Sequence, residues 1–194
     1  MKHNFDFRNK IAEKIPIIKK SKIPKKPYSI ALSLADKIDT LVGFFGIHQK
    51  PTSSKDPFAL RRLALGIIRI IVENKKDFKL KNLIDYSLNL FLDQGLKFEN
   101  KFVQKELSDF LMDRLRFYLK EEKVRYDIIQ ASTNSLNLDH SVIIFGKAKS
   151  LNKIINTQNG IDLISSYKRA SNILDSELKN NKFELSNTTD PGIF

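Results

Sequence analysis

The chain has no cysteine, only three histidines, seven glycines and six prolines among its 194 residues. Without cysteine there are no disulfides and no thiolate metal sites, which fits a reducing, cytoplasmic setting. His3, His48 and His140 are far apart, and none has a second histidine at ligand spacing, so a histidine-based zinc site is not expected. There is no glycine-rich phosphate loop and no nucleophile–histidine pair. No run approaches the roughly 20 apolar residues that cross a bilayer. The N-terminal stretch is basic but lacks the apolar segment and small-residue cleavage site of a signal peptide. Acidic residues are also scarce, 22 against 34 lysines and arginines, a net charge of +12. Such a balance favours a polyanionic partner; its plainer source is an Ile/Lys/Asn-rich composition of the kind an AT-biased genome produces.

What is present is amphipathic helix. Hydrophobic residues make up 41% of the chain, enough for a sizeable core. Residues 1–28 carry nine cations against Asp6 and Glu13, interrupted by Pro16, Pro24 and Pro27, and read as an extended basic lead-in. Ser29 then suits the N-cap of a helix over 30–45, with Ile30, Leu34, Ile38, Leu41 and Phe45 on one stripe. Asp56-Pro57 marks a second helix start, with Leu60, Leu63, Ile67, Ile70 and Ile71 on its apolar face and Arg62 and Arg69 opposite. Further helices are expected over 80–92, ending near Gly95, then over 101–121, 126–131, 139–150 and 160–178. The last uses Ile161, Ile164, Tyr167, Leu174 and Leu178. Val142–Phe145 has the composition of a short strand, but its flanks suit a helix. The fold class is all-α.

Ser29 to Arg62 reads SIALSLADKIDTLVGFFGIHQKPTSSKDPFALRR. In ALSLADKIDTLVGFF, KPT and SKDPFALRR it resembles the signature segment of the beta subunit of the bacterial two-subunit glycine–tRNA ligase. FLMDRLR at Phe110–Arg116 and Tyr126-Asp127 resemble the start of that subunit's anticodon-binding domain. KAKSL at Lys147–Leu151, YKRASNIL at Tyr167–Leu174 and DPGIF from Asp190 continue the likeness. It implies the end of a degenerate HD-like helical domain over 1–95, then an anticodon-binding-like helical bundle over 96–194. The family's subunit is several times longer, and Asp190-Pro191 is a helix start with almost nothing after it, so the expectation is an incomplete bundle: a fragment, a split-gene product or a decayed reading frame. The family has glycine where this chain has His48 and Ser53, which puts the loop's shape in question.

The resemblance further implies a complex of two alpha and two beta subunits that attaches glycine to its tRNA. The alpha subunit supplies the adenylate chemistry with ATP and Mg²⁺. The beta subunit grips the glycine tRNA, and the chain itself binds no cofactor. The partners are then the tRNA, the alpha subunit and the remaining N-terminal part of the beta subunit, with no membrane. Lys50, Lys55, Arg61 and Arg62 surround the signature loop, and Arg116, Lys147, Lys149, Lys168 and Arg169 sit mostly off the apolar faces. Phosphate contact is the functional reading of all nine. The plainer one is a solvated rim with internal ion pairs to Asp36, Asp39 or Asp56 for the four at the loop, and ordinary surface charge for the other five. Arg114 falls within the Leu107–Leu111–Leu115 stripe and calls for a buried carboxylate or carbonyl, with anticodon contact as the alternative reading. Of the aromatics, Phe44 and Phe45 beside the loop are the candidates for base stacking. Asp36 and Asp39 share a helical face, and ADKID resembles the last motif of HD-type metal phosphohydrolases, with Asp36 as final ligand. The upstream histidine and His-Asp pair of those sites are missing.

Overall fold

Pro27 begins the first helix among the described residues, because its fixed φ suits a first turn and its missing amide donor has no partner there to lose. Helix α1, Pro27–Gly46, therefore starts two residues before the expected Ser29 cap, and Lys26 occupies the cap without a side-chain bond. In the computed structural model, residues 22–180 are described, apart from Ser53 and Ser135. Most of the basic lead-in and Asp190-Pro191 lie outside them. The helices that follow are α2, Leu60–Asn74; α3, Leu80–Asp93; α4, Asn100–Glu121; α5, Tyr126–Thr133; α6, Ser141–Ile154; and α7, Gln158–Asn180. A 3₁₀ turn, Leu138–His140, leads into α6. The described residues contain no strand, and Val142–Phe145 is helical. The all-α expectation holds.

Helix α4 is the hub, packing on α1, α2, α3 and α5. Its expected stripe, Leu107, Leu111, Leu115 and Tyr118, is buried throughout, as are Ile30, Leu34, Ile38, Leu41 and Phe45 of α1. Helix α2 is buried on more than one face: Leu60, Ala64, Ile67, Ile68, Ile70, Ile71 and Val72 are all inside, while Leu63 is half-buried. Arg69, expected opposite that face, is consequently drawn in. Its side chain is 12% exposed and its Nε donates to Glu73 Oε1 at 2.9 Å. Tyr118 of α4 donates its hydroxyl to the same oxygen at 3.3 Å. Burial, then the Glu73 carboxylate, pushes the Tyr118 hydroxyl up to about 12. The lead-in meets the end of α2: Lys25 Nζ donates to the Glu73 carbonyl at 3.2 Å and Asn74 Nδ2 to the Pro24 carbonyl at 3.1 Å.

Four helix ends share one geometry. His48, Lys75, Gly95 and Lys123 each have a left-handed backbone, with φ of 58°, 53°, 84° and 60°. Each passes its own amide, and the next one, back to carbonyls of the last turn. Gly95 is the stop expected from the sequence; the other three fill the same position with a side chain.

The chain divides into two compact units between Ala148 and Lys149, within α6. In the first unit, Ser141, Ile144 and Ala148 of α6 are buried. In the second, Leu151 and Ile154 are exposed, and so are Ile161, Leu163, Tyr167, Ile173, Leu174 and Leu178 of α7. The boundary expected after residue 95 falls inside the first unit, where α3 and α4 pack together.

Candidate nucleic-acid interface

The loop from Ile47 to Ala59 and the first turn of α2 carry four of the nine candidate cations, and the loop's shape is fixed by backbone and carboxylate bonds. At its start the end of α1 is sealed by His48 N to Phe45 O at 3.0 Å and Gln49 N to Phe44 O at 2.8 Å. His48 has a left-handed backbone, which glycine adopts without strain; Ser53 lies outside the described residues. Midway, Thr52 N donates to the Lys55 carbonyl at 2.9 Å. At its end the Asp56 carboxylate accepts the Leu60 amide at 2.8 Å and the Arg61 amide at 3.0 Å. Asp56 is thus the cap the sequence indicated, but from outside: Pro57 and Phe58 form a turn before the helix, and Ala59, at φ 55°, delivers the chain to Leu60.

The four cations of the loop and the first turn of α2 divide into two kinds. Lys50 Nζ is 2.5 Å from the Glu106 carboxylate of α4 and lies 5.8 Å from the Phe102 ring. The Arg61 guanidinium donates to the Thr52 carbonyl. These two hold the loop in place. The side chains of Lys55 and Arg62 are exposed and have no ion-pair or hydrogen-bond partner among the described residues. Neither aspartate of α1 takes them: Asp39 accepts the Ser87 hydroxyl at 3.0 Å, and Asp36 is exposed. Both line an apolar groove of about 520 Å³ between α1 and α3, with Leu34, Ile38, Phe78 and Leu83. Among the described residues no group of three or more His, Cys, Asp or Glu side chains is placed to hold a metal ion.

The remaining candidates lie on α4, α6 and α7. Arg116 is half-buried on α4 and bound to Asp113 at 2.9 Å and to the Thr133 hydroxyl at 3.4 Å. Lys147 is exposed on α6. Lys149, half-buried, already has an interaction of its own. Lys168 and Arg169 are exposed on α7, in the second unit.

Arg114 and Phe45 depart from expectation. Arg114 has no carboxylate partner among the described residues, and its Nε is buried without a hydrogen-bond partner there. Its guanidinium lies 5.6 Å from the Phe110 ring centre and 5.5 Å from that of Phe117. Positions four before and three after it on a helix are its direct neighbours, and ring faces attract a cation. Phe45 is core, 4% exposed and 5.2 Å from Phe110. Phe44 instead stacks on Phe58, centroids 4.3 Å apart and planes at 28°. Phe58 carries no periodic signal in the sequence because it lies in a turn; Asp56-Pro57 before it marks that turn.

This all-helical, basic arrangement is accompanied by clear kinship. A family model described as glycyl-tRNA synthetase beta subunit matches residues 9–134, well over half of the chain. The chain belongs to that family. Curated relatives named glycine–tRNA ligase beta subunit include one from Cereibacter sphaeroides, 38% identical over 87% of this chain and 24% of the relative. Another, from Dinoroseobacter shibae, is 37% identical over 87% of this chain and 27% of the relative. A third, from Rhodospirillum centenum, is 40% identical over 84% and 22%. The chain spans about a quarter of the length of these relatives. Among the described residues no helix is long and apolar enough to cross a membrane.

Proposed function

We propose that this chain is a tRNA-gripping part of a glycine–tRNA ligase beta subunit, positioning the glycine tRNA for ATP-dependent glycylation carried out with an alpha subunit. Membership in the family carries the reading. The loop supports it through one distinction. A cation already bound to an internal carboxylate or carbonyl, such as Lys50 or Arg61, gains little from a phosphate. An uncommitted one, such as Lys55 or Arg62, gains a charge-assisted contact and releases condensed counterions from the RNA. In this reading ATP and Mg²⁺ are held by the alpha subunit, and the complex works in the cytoplasm. This chain's contribution to rate is then orientation of the reacting tRNA.

Filter binding of the 194-residue chain to a glycine tRNA transcript tests the grip. Affinity is expected to fall steeply between low and physiological salt; no binding at low salt contradicts the proposal. The division of labour has its own assay. The chain alone gives no glycine-dependent pyrophosphate exchange, and exchange above background without an alpha subunit overturns that assignment.

A further inference from the structure

We infer that Phe58, backed by Phe44, is a stacking platform for one unpaired nucleotide of the bound RNA, with Lys55 and Arg62 holding the adjoining phosphates. This rests on the tRNA reading above and narrows it to one contact. Phe58 is 45% exposed although Phe44 covers part of it at a centroid distance of 4.3 Å. The exposure is built in. Asp56 binds the amides of Leu60 and Arg61, the Ala59 amide closes on the Asp56 carbonyl at 3.2 Å, and the Arg61 guanidinium ties the helix start to Thr52. A ring held this way loses little conformational freedom when a partner arrives.

The surroundings select the partner. Lys55 precedes the ring by three residues and Arg62 follows it by four, both exposed and uncommitted among the described residues. The nearby carboxylate, Asp56, is occupied by helix amides. An apolar protein surface closing over Phe58 leaves two cations to desolvate without compensation. A nucleotide supplies a π-face and an anion together. Base faces inside a duplex are already stacked, so the nucleotide is an unpaired one. The other exposed ring near the loop, Phe102, lacks this setting: its cation, Lys50, is neutralised by Glu106.

The test is binding of the full 194-residue chain to the glycine tRNA transcript at low salt, with Phe58→Leu, Phe58→Tyr and Arg62→Gln beside wild type. Base–aromatic stacks correspond to about 5- to 150-fold in affinity. Phe58→Leu is expected to weaken binding within that range with an unchanged salt slope, while Phe58→Tyr stays within about twofold of wild type. Arg62→Gln is expected to lower the salt slope by about one. In competition, a single-stranded RNA outcompetes a duplex of equal length against wild type, and Phe58→Leu loses that preference. If Phe58→Leu binds both RNAs like wild type while Arg62→Gln is weakened, the platform is wrong and the phosphate grip stands. If neither substitution changes binding, the loop's part in the tRNA reading falls as well.

Discussion

Helices α2 and α7 both carry apolar side chains at helical spacing, yet they meet opposite fates. In α2, Leu60, Ile67, Ile68, Ile70 and Ile71 are at most 2% exposed. In α7, Ile161, Leu163, Tyr167, Ile173, Leu174 and Leu178 are between 51% and 72% exposed. Periodicity specifies that a face exists; only packing against other elements determines whether it stabilises anything. The first unit has that packing, since α4 touches four other helices. Burial of a large apolar side chain contributes about 1.5–3 kcal/mol, so the stabilising terms are concentrated in the first unit.

The sharpest way to break this comparison is side-chain truncation. Ile67→Ala or Leu111→Ala, at fully buried sites, is expected to cost about 2–5 kcal/mol in urea denaturation. Leu174→Ala, at a site 59% exposed, is expected to cost less than about 0.5 kcal/mol. Amide exchange follows the same order, slow in α2 and fast in α7; equal protection in both contradicts the comparison.

A smaller effect sharpens the account of the buried polar network. The Tyr118 hydroxyl is held up to about 12, above the ordinary 10 of the unfolded chain. The unfolded state therefore releases this proton first, and stability attached to the neutral hydroxyl is present below pH 10 and lost between about 10 and 12. We expect the loss of stability between pH 9 and 11.5 to be smaller in Tyr118→Phe by about 1–2 kcal/mol. An identical alkaline profile removes the assignment.

The helix ends give a still smaller contrast. Lys75 is exposed and left-handed, which strains a side-chain-bearing residue, whereas Gly95 is at ease at φ 84°. Lys75→Gly should raise stability by about 0.5–1 kcal/mol, and Gly95→Ala should lower it by about 1 kcal/mol. A stabilising Gly95→Ala contradicts the shared geometry.

These ends also mark what was legible. The helix order and the stripes of α1 and α4 follow from spacing alone, because apolar periodicity and burial coincide there. Gly95 announced its turn, but His48, Lys75 and Lys123 adopt the same conformation without a glycine to signal it. Arg114 is legible as a residue of the apolar stripe, but its partners are not, since contact with Phe110 and Phe117 leaves no charge pair to look for. The nine candidate cations were visible as charge. Which are committed depends on contacts such as Lys50 with Glu106, 56 residues apart. The fate of α7's stripe was likewise invisible, since spacing within a helix says nothing about what covers it.

The most direct test is the salt dependence of glycine tRNA binding, measured for wild type and for two paired variants. In Lys55→Gln/Arg62→Gln the uncommitted cations are removed, and the slope of log affinity against log salt is expected to fall by about two. In Lys50→Gln/Arg61→Gln the internally bound cations are removed, and the slope should stay near wild type. Equal slopes for wild type and Lys55→Gln/Arg62→Gln, or the larger change in the Lys50/Arg61 pair, would contradict the account.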